Sequence, residues 1–252
     1  MRLLVTRPEP DATALRAHLI AQGHDVLIEP LITIRFDNAD PIELDDVQAL
    51  IATSRNGLRA LAESPALEQA RFLPLFAVGP GTAATARGLG FEHVIKGPGT
   101  GRELVDFIIT HAEVNGGPLL HLAGDVLAYD FARELARLGY HILKPVVYET
   151  EPATRLSGST AARLANGQIE GVLLLSPRTA SIYAGLVEAH GLTEAVRRGV
   201  THYCISAAAA ARLEELAPVK VEVAAQPNLQ EVLALTARAT SQSGQIYNPK
   251  RQ

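Results

Sequence analysis

Short apolar runs of strand length alternate along this chain with amphipathic stretches of helix length, and one motif recurs where they meet. An apolar run ends, a hydroxyl residue and a nearby Arg or Gly follow, and a helical stretch begins. The motif reads LLVTRPEP from Leu3, LIATSRNG from Leu50, FAVGPGTA from Phe76, LLLSPRTA from Leu173 and YCISAAAA from Tyr203. Such alternation predicts parallel sheets with helices on both faces, an α/β fold. The first unit runs from LLVTRP through a helix over about Asp11 to Gln22, ended by Gly23, into a strand-like run HDVLIEPLITI from His24. Leu15, His18, Leu19 and Gln22 give that helix one mostly apolar face. A second series from Asp45 takes in ALIATS, LFAVG, a helix from Thr82, EHVIK, a helix from Arg102, LLHLAG and a helix near Tyr129 to Leu138. A third begins at Gly171 and ends in a helix over about Leu229 to Thr240.

An internal echo groups these pieces. LARLGYHILKPVVYE from Leu135 resembles LIAQGHDVLIEPLITI from Leu19: each has a helix, a terminating glycine, a strand, then a proline before further apolar residues. A proline late in a strand-like run marks an edge or a connector. The polar, proline-bearing stretches RFDNADP and ETEPATRLSGS fit connectors too. The expected architecture is two parallel-sheet, flavodoxin-like lobes joined by a two-stranded connector, one lobe inserted into the other. The first comprises residues 1–35 and 152–252, with a disordered tail from about Ser241, and the second residues 39–146. The connectors fall near 33–41 and 146–152.

Composition narrows the function classes. A chain of 252 residues, 47% hydrophobic and 20% charged, buries a substantial core. Its net charge of −4 gives no basic excess for gripping a nucleic-acid backbone, so any anion site is local and no nucleic-acid partner is expected. The single cysteine, Cys204, excludes an internal disulfide framework and a multi-cysteine metal site, and suits a reducing cytoplasm. No apolar run approaches the roughly 20 residues that cross a bilayer, so a cytoplasmic protein with no membrane partner is expected, and a monomer.

The chemistry lies at the junctions. Thr6, Ser54, Thr82, Ser176 and Ser206 stand where helices are expected to begin. There a hydroxyl caps free backbone N–H groups, and several such ends around one cleft bind a polyanion. Arg7, Arg55 and Arg178 follow closely and are suited to carboxylates or phosphates. GPGTAATARG from Gly79 lacks both dinucleotide-binding spacing and a P-loop lysine, and KGPGTGRE from Lys96 is an equally weak signal. The eight histidines are scattered, no G-x-S-x-G elbow occurs, and Cys204 reads as a core residue, as His18 and His121 read as parts of packed elements. No metal and no cofactor are expected. An enzyme built this way works by binding and shaping its substrate.

The TRP opening at Thr6, TSRNG at Thr53, VGPGTA at Val78, VYET at Val147, LLSPRTA at Leu173, IS at Ile205 and AAQPNLQEVL near the end together resemble the uroporphyrinogen-III synthase family. Their order and spacing hold over nearly the whole chain before Ser241. The resemblance implies a cofactor-free lyase of tetrapyrrole and heme biosynthesis. Members convert linear hydroxymethylbilane, supplied by porphobilinogen deaminase, to uroporphyrinogen III, with loss of water and inversion of the terminal ring through a spirocyclic intermediate. It assigns Tyr148 as the catalytic group that hydrogen-bonds the departing hydroxyl. Substrate binding falls to Thr6, Arg7, Ser54, Asn56, Gly81, Thr82, Ser176 and Ser206. The substrate's eight carboxylates match many helix N-termini without a basic excess. The chain departs from the family at the expected helix start AGDVLAY, where Ala123 and Ala128 replace frequent basic residues and Asp125 adds negative charge, and at Ala209, where threonine is frequent. Two rivals share this sequence signature: a two-lobed binding protein that closes on a small polyanion without chemistry, and a nucleotide-sugar transferase, for which the nucleotide pocket is missing.

Overall fold

The computed structural model describes residues 1–97, 103–127, 129–238 and 246–247. It divides into two compact units, Met1–Thr33 with Glu151–Gln252, and Ile34–Thr150. The first unit opens with β1 (Arg2–Val5), α1 (Asp11–Ala21) and β2 (Asp25–Ile28). After β3 (Ile32–Arg35) the second runs β4 (Ala49–Ala52), α2 (Arg55–Ala62), α3 (Leu67–Ala70), β5 (Leu75–Ala77), α4 (Gly79–Gly88), β6 (Val94–Lys96) and α5 (Glu103–Ile109). It continues through β7 (Leu119–His121), β8 (Ala123–Gly124), α6 (Phe131–Arg137), β9 (Ile142–Leu143) and β10 (Val146–Pro152). The first unit resumes with α7 (Gly158–Ala165), β11 (Gly171–Leu174), α8 (Pro177–Ala189), α9 (Thr193–Gly199) and β12 (Thr201–Cys204). Then come α10 (Ala207–Ala210), a 3₁₀ turn over Ala211–Leu216, β13 (Val219–Val223), α11 (Leu229–Arg238) and β14 (Ile246–Tyr247).

In the first unit the strands stand in the order β14-β13-β12-β11-β1-β2, parallel except where β14 pairs antiparallel with β13. Alternate residues of its inner strands feed opposite cores, as a sheet covered on both faces requires. Leu4, Val172 and Leu174 pack with Tyr183 and Leu213, while Leu3, Val5 and Leu173 pack with Leu15, Leu19 and Val232. In the second unit the parallel order is β6-β5-β4-β7-β9, with Leu50 and Ala52 on one face and Ala49 and Ile51 on the other. Both are doubly wound. Counting strands along the chain within each sheet, the first has the order 2-1-3-4-5-6, reversing between β1 and β11, and the second 3-2-1-4-5, reversing between β4 and β7.

Several elements differ from the sequence expectations. The run from His24 is two strands, because Pro30 lacks the N–H a ladder needs and divides β2 from β3. The strands expected as a two-stranded connector belong to a three-stranded sheet, β3-β10-β8, in which Val146 and Tyr148 of β10 pair with Ala123 and Gly124. Ala123 is therefore in a strand and not at a helix start; α6 begins later, at Phe131. The helix expected from Thr82 starts at Gly79, where Pro80 sits in the first turn and its missing N–H costs nothing. Within the tail, Ile246–Tyr247 forms a strand. The remainder of the tail, Ala128 and most of the KGPGTGRE glycine cluster lie outside the described residues.

Candidate functional site

In the first unit β1, β11 and β12 are neighbours, so their carboxyl ends bring Thr6, Arg7, Ser176 and Ser206 to one edge of the sheet. Ser176 is the N-cap of α8: its Oγ accepts from the Thr179 N–H at 3.0 Å, and Pro177 fills the first helical position. Ser206 caps α10 likewise, its Oγ accepting from the Ala209 N–H at 3.3 Å. Thr6 is no cap. It is buried, and its hydroxyl donates to the Leu173 carbonyl at 2.7 Å, stitching β1 to β11, while α1 starts only at Asp11. Arg7 reaches one turn along to the Asp11 carboxylate at 3.0 Å, both side chains largely covered. That pairing neutralises much of its charge.

In the second unit β4 and β5 are adjacent and present Ser54, Asn56, Gly81 and Thr82. Ser54 caps α2, its Oγ accepting from the Asn56 N–H at 3.1 Å. The Asn56 side chain accepts from Arg59 Nη1 at 2.6 Å. Arg55 extends over the first turn of α4, where a Cβ on Gly81 would meet its Nε at 3.9 Å. Thr82 lies inside that turn and is buried, so it is not the cap that the sequence suggested; Val78 takes that position. Gly57 lets α2 approach the strand beyond it, since a Cβ there would come within 2.6 Å of the Leu122 carbonyl oxygen.

Tyr148 lies on β10 in the three-stranded sheet. It is 8% exposed, and its ring lies directly over Gly124, where a Cβ would stand 2.5 Å from the ring. Its backbone carbonyl accepts from the Asp125 N–H at 3.1 Å.

Two further residues at the second sheet's edge escape sequence reasoning. His121 ends β7, beside β4, and its Nε2 stands 3.1 Å from the Thr53 hydroxyl. Its ring packs on Phe131 with centroids 4.6 Å apart. Burial, with help from the Lys144 ammonium, pushes the imidazole down to about 4. Thr53 was visible only as part of a motif and His121 only as a buried position on an apolar strand. Among the described residues no group of His, Cys, Asp and Glu is arranged to hold a metal, and no helix is long and apolar enough to cross a membrane. Burial raises the Cys204 thiol to about 12, leaving it a core side chain and not a nucleophile.

Doubly wound sheets take their ligands at the carboxyl strand ends near the point where strand order reverses. Both sheets here carry serine-capped helix starts on that edge, which defines a two-unit, doubly wound α/β protein. The family model described as uroporphyrinogen-III synthase HemD matches residues 13–234. The chain thus belongs to the uroporphyrinogen-III synthase family, the cyclising lyases of tetrapyrrole biosynthesis.

Two solved structures share the fold. Uroporphyrinogen-III synthetase from Helicobacter pylori superposes with a TM-score of 0.65, at 20% identity over 95% of this chain and 100% of that one. A mutant uroporphyrinogen III synthase from the extremely thermophilic bacterium Thermus thermophilus gives 0.58, at 19% identity over 96% and 100%. No curated protein matches the chain.

Proposed function

We propose that this protein carries out its family's reaction, closing hydroxymethylbilane to uroporphyrinogen III with loss of water and inversion of the terminal pyrrole ring. The observation that carries this reading is the family match over residues 13–234, from α1 into α11. The serine-capped edge of each sheet supports it. Ser54, Ser176 and Ser206 each bind one backbone N–H of their helix, and the others at each helix start suit the acetates and propionates of an octacarboxylate. Asn56, Gly81, Thr82, Thr6 and Arg7 complete the proposed binding set. Thr6 and Thr82, being buried, act by shaping the edge.

The chemistry asked of the protein is directional. The bilane's hydroxymethyl carbon loses hydroxide, which leaves as water with one added proton, and the cation closes onto the terminal ring. Without direction it closes at the free carbon and gives the symmetric isomer. Holding both ends of the chain favours attack by the substituted carbon, the spirocyclic route to isomer III. In this reading the Tyr148 hydroxyl hydrogen-bonds the departing hydroxyl, and Gly124 leaves the room its ring occupies. The substrate comes from porphobilinogen deaminase, and the protein works as a cytoplasmic monomer.

The test is a coupled assay: porphobilinogen deaminase generates the bilane, this protein is added, products are oxidised, and isomers I and III are separated. Isomer III should predominate. Isomer I at the level without enzyme would remove the synthase assignment and leave a binding protein for small polyanions. Tyr148→Phe should lower turnover about tenfold or more with little change in substrate affinity; unchanged turnover would take Tyr148 out of the mechanism.

A further inference from the structure

His121 is 1% exposed and its Nδ1 has no hydrogen-bond partner among the described residues. Its Nε2 faces one group, the Thr53 hydroxyl at 3.1 Å. With burial holding the imidazole neutral above about pH 4, one ring nitrogen carries the proton and the other does not. If Nδ1 carried it, a buried N–H would stand without an acceptor, the rarer and costlier of the two unmatched states. The proton therefore belongs on Nε2, which donates to the Thr53 oxygen. That bond occupies a lone pair of the hydroxyl and sends the hydroxyl proton elsewhere.

Thr53 lies just past β4, half-buried, at the place where the strand order of the second sheet reverses, and its next neighbour Ser54 caps α2. We propose that His121 is a positioning residue: through Nε2–H it fixes the Thr53 hydroxyl as a donor directed at a carboxylate bound at the carboxyl ends of β4 and β7. Thr53 is then a substrate-binding residue beside the capped start of α2. This rests on the synthase reading given above, because an octacarboxylate supplies the acceptor.

The first sheet contains an internal control. His202, also buried, has its Nδ1 at 3.0 Å from the Lys220 carbonyl, which only accepts, and its Nε2 at 3.3 Å from the Tyr183 hydroxyl. It must carry its proton on Nδ1, so His121 and His202 are opposite tautomers.

Long-range proton–nitrogen correlation of the imidazole rings of the full-length protein reads this directly, with His121→Leu and His202→Leu assigning the signals. A protonated Nε2 on His121 and a protonated Nδ1 on His202 are expected. A protonated Nδ1 on His121 overturns the proposal. The second arm measures binding of uroporphyrin III, a stable octacarboxylate, and KM and kcat for isomer III formation. Thr53→Val and His121→Leu should each weaken binding and raise KM roughly tenfold, with kcat within twofold and a melting temperature within about 4 °C of the parent's. Thr53→Ser, and His121→Gln, whose amide N–H replaces Nε2–H, should stay within threefold of the parent. Equal binding in His121→Leu and the parent, or Ser no better than Val at position 53, overturns the carboxylate role. A parent protein that neither binds uroporphyrin III nor forms isomer III would bring down the synthase reading and that role with it, while the tautomer assignment stands or falls on the spectrum alone.

Discussion

Among the described residues each large sheet buries one histidine on an inner strand, and the surroundings of the two differ. His202 on β12 meets a partner at both nitrogens, the Lys220 carbonyl and the Tyr183 hydroxyl, and its ring packs edge-on against Tyr183. His121 on β7 meets a partner at one nitrogen and, among the described residues, leaves the other bare. A buried polar group that is fully matched holds a core together, whereas one left half-matched costs stability that packing alone does not return. The difference separates two settings for a buried histidine: the matched one belongs to the fold of the first sheet, and the half-matched one stands on the edge where the second sheet's strand order reverses.

The largest expected effect is on acid stability. Burial pushes both imidazoles from 6.5 down to about 4, so between those values the unfolded chain binds more protons than the folded one. Stability is whole above pH 6.5 and is lost as pH falls toward 4, by roughly 3 kcal/mol for each histidine. Urea midpoints at pH 7 and pH 5 should differ less in His202→Leu, and in His121→Leu, than in the parent. Parallel pH profiles in all three would end this account.

At neutral pH the two leucine variants should part company. His202→Leu strands the Lys220 carbonyl and the Tyr183 hydroxyl in the core and should cost about 2–3 kcal/mol. His121→Leu releases only the half-buried Thr53 hydroxyl, which water can satisfy, and should cost under about 1 kcal/mol. Equal losses in urea titrations would mean that the contrast between the two sites has no energetic content.

Much of this was written locally in the chain, and the failures have local reasons. Apolar runs at strand length with helical stretches between them gave the α/β class, because parallel sheets buried on both faces need continuous apolar strands. Ser54, Ser176 and Ser206 were readable as caps since a serine after a strand and before a helix has one obvious use. Thr6 and Thr82 matched the same pattern and do something else: Thr6 bonds across to Leu173, a partner 167 residues away, and Thr82 follows a turn already begun by Gly79 and Pro80. Strand order was not legible, since both doubly wound orders use the same local units. Nor was β8, whose two small residues, Ala123 and Gly124, carry no strand signal and find their place only against Tyr148. His121 looked like any histidine on a packed strand. Its unmatched nitrogen is a property of the neighbours.

Two glycines carry the contrast to single methyl groups. A Cβ on Gly171 of β11 would stand 2.7 Å from the Tyr203 ring and 2.8 Å from Leu3, inside the first sheet's core. Gly171→Ala should cost about 2 kcal/mol of overpacking, read as lost hydrogen-exchange protection in the first unit. A Cβ on Gly124 would push on the Tyr148 ring, so Gly124→Ala should lower isomer III turnover more than it lowers stability. Full turnover in Gly124→Ala would argue that the ring's position is unimportant.

The smallest expected difference concerns a device that both units share. Arg71 stands four residues before Leu75, the start of β5, and Arg197 four before Thr201, the start of β12; each has a glutamate three residues earlier, Glu68 and Glu194. Each guanidinium reaches carbonyls at the end of the helical segment that follows the strand. Arg71 Nε donates to Leu89 at 2.7 Å, and Arg197 donates to Leu216 at 2.9 Å and Ala217 at 2.7 Å. A cation there satisfies carbonyls that the helix leaves without partners and meets the negative end of its dipole. Arg197 holds one carbonyl more than Arg71 and serves a 3₁₀ turn, whose own hydrogen bonds are the poorer kind. Replacing each with methionine keeps the apolar stem and removes the donors, so Arg197→Met should lose about 1 kcal/mol more than Arg71→Met. The reverse ranking in urea unfolding would show that the paired glutamates, and not the helix-end carbonyls, are what these arginines serve.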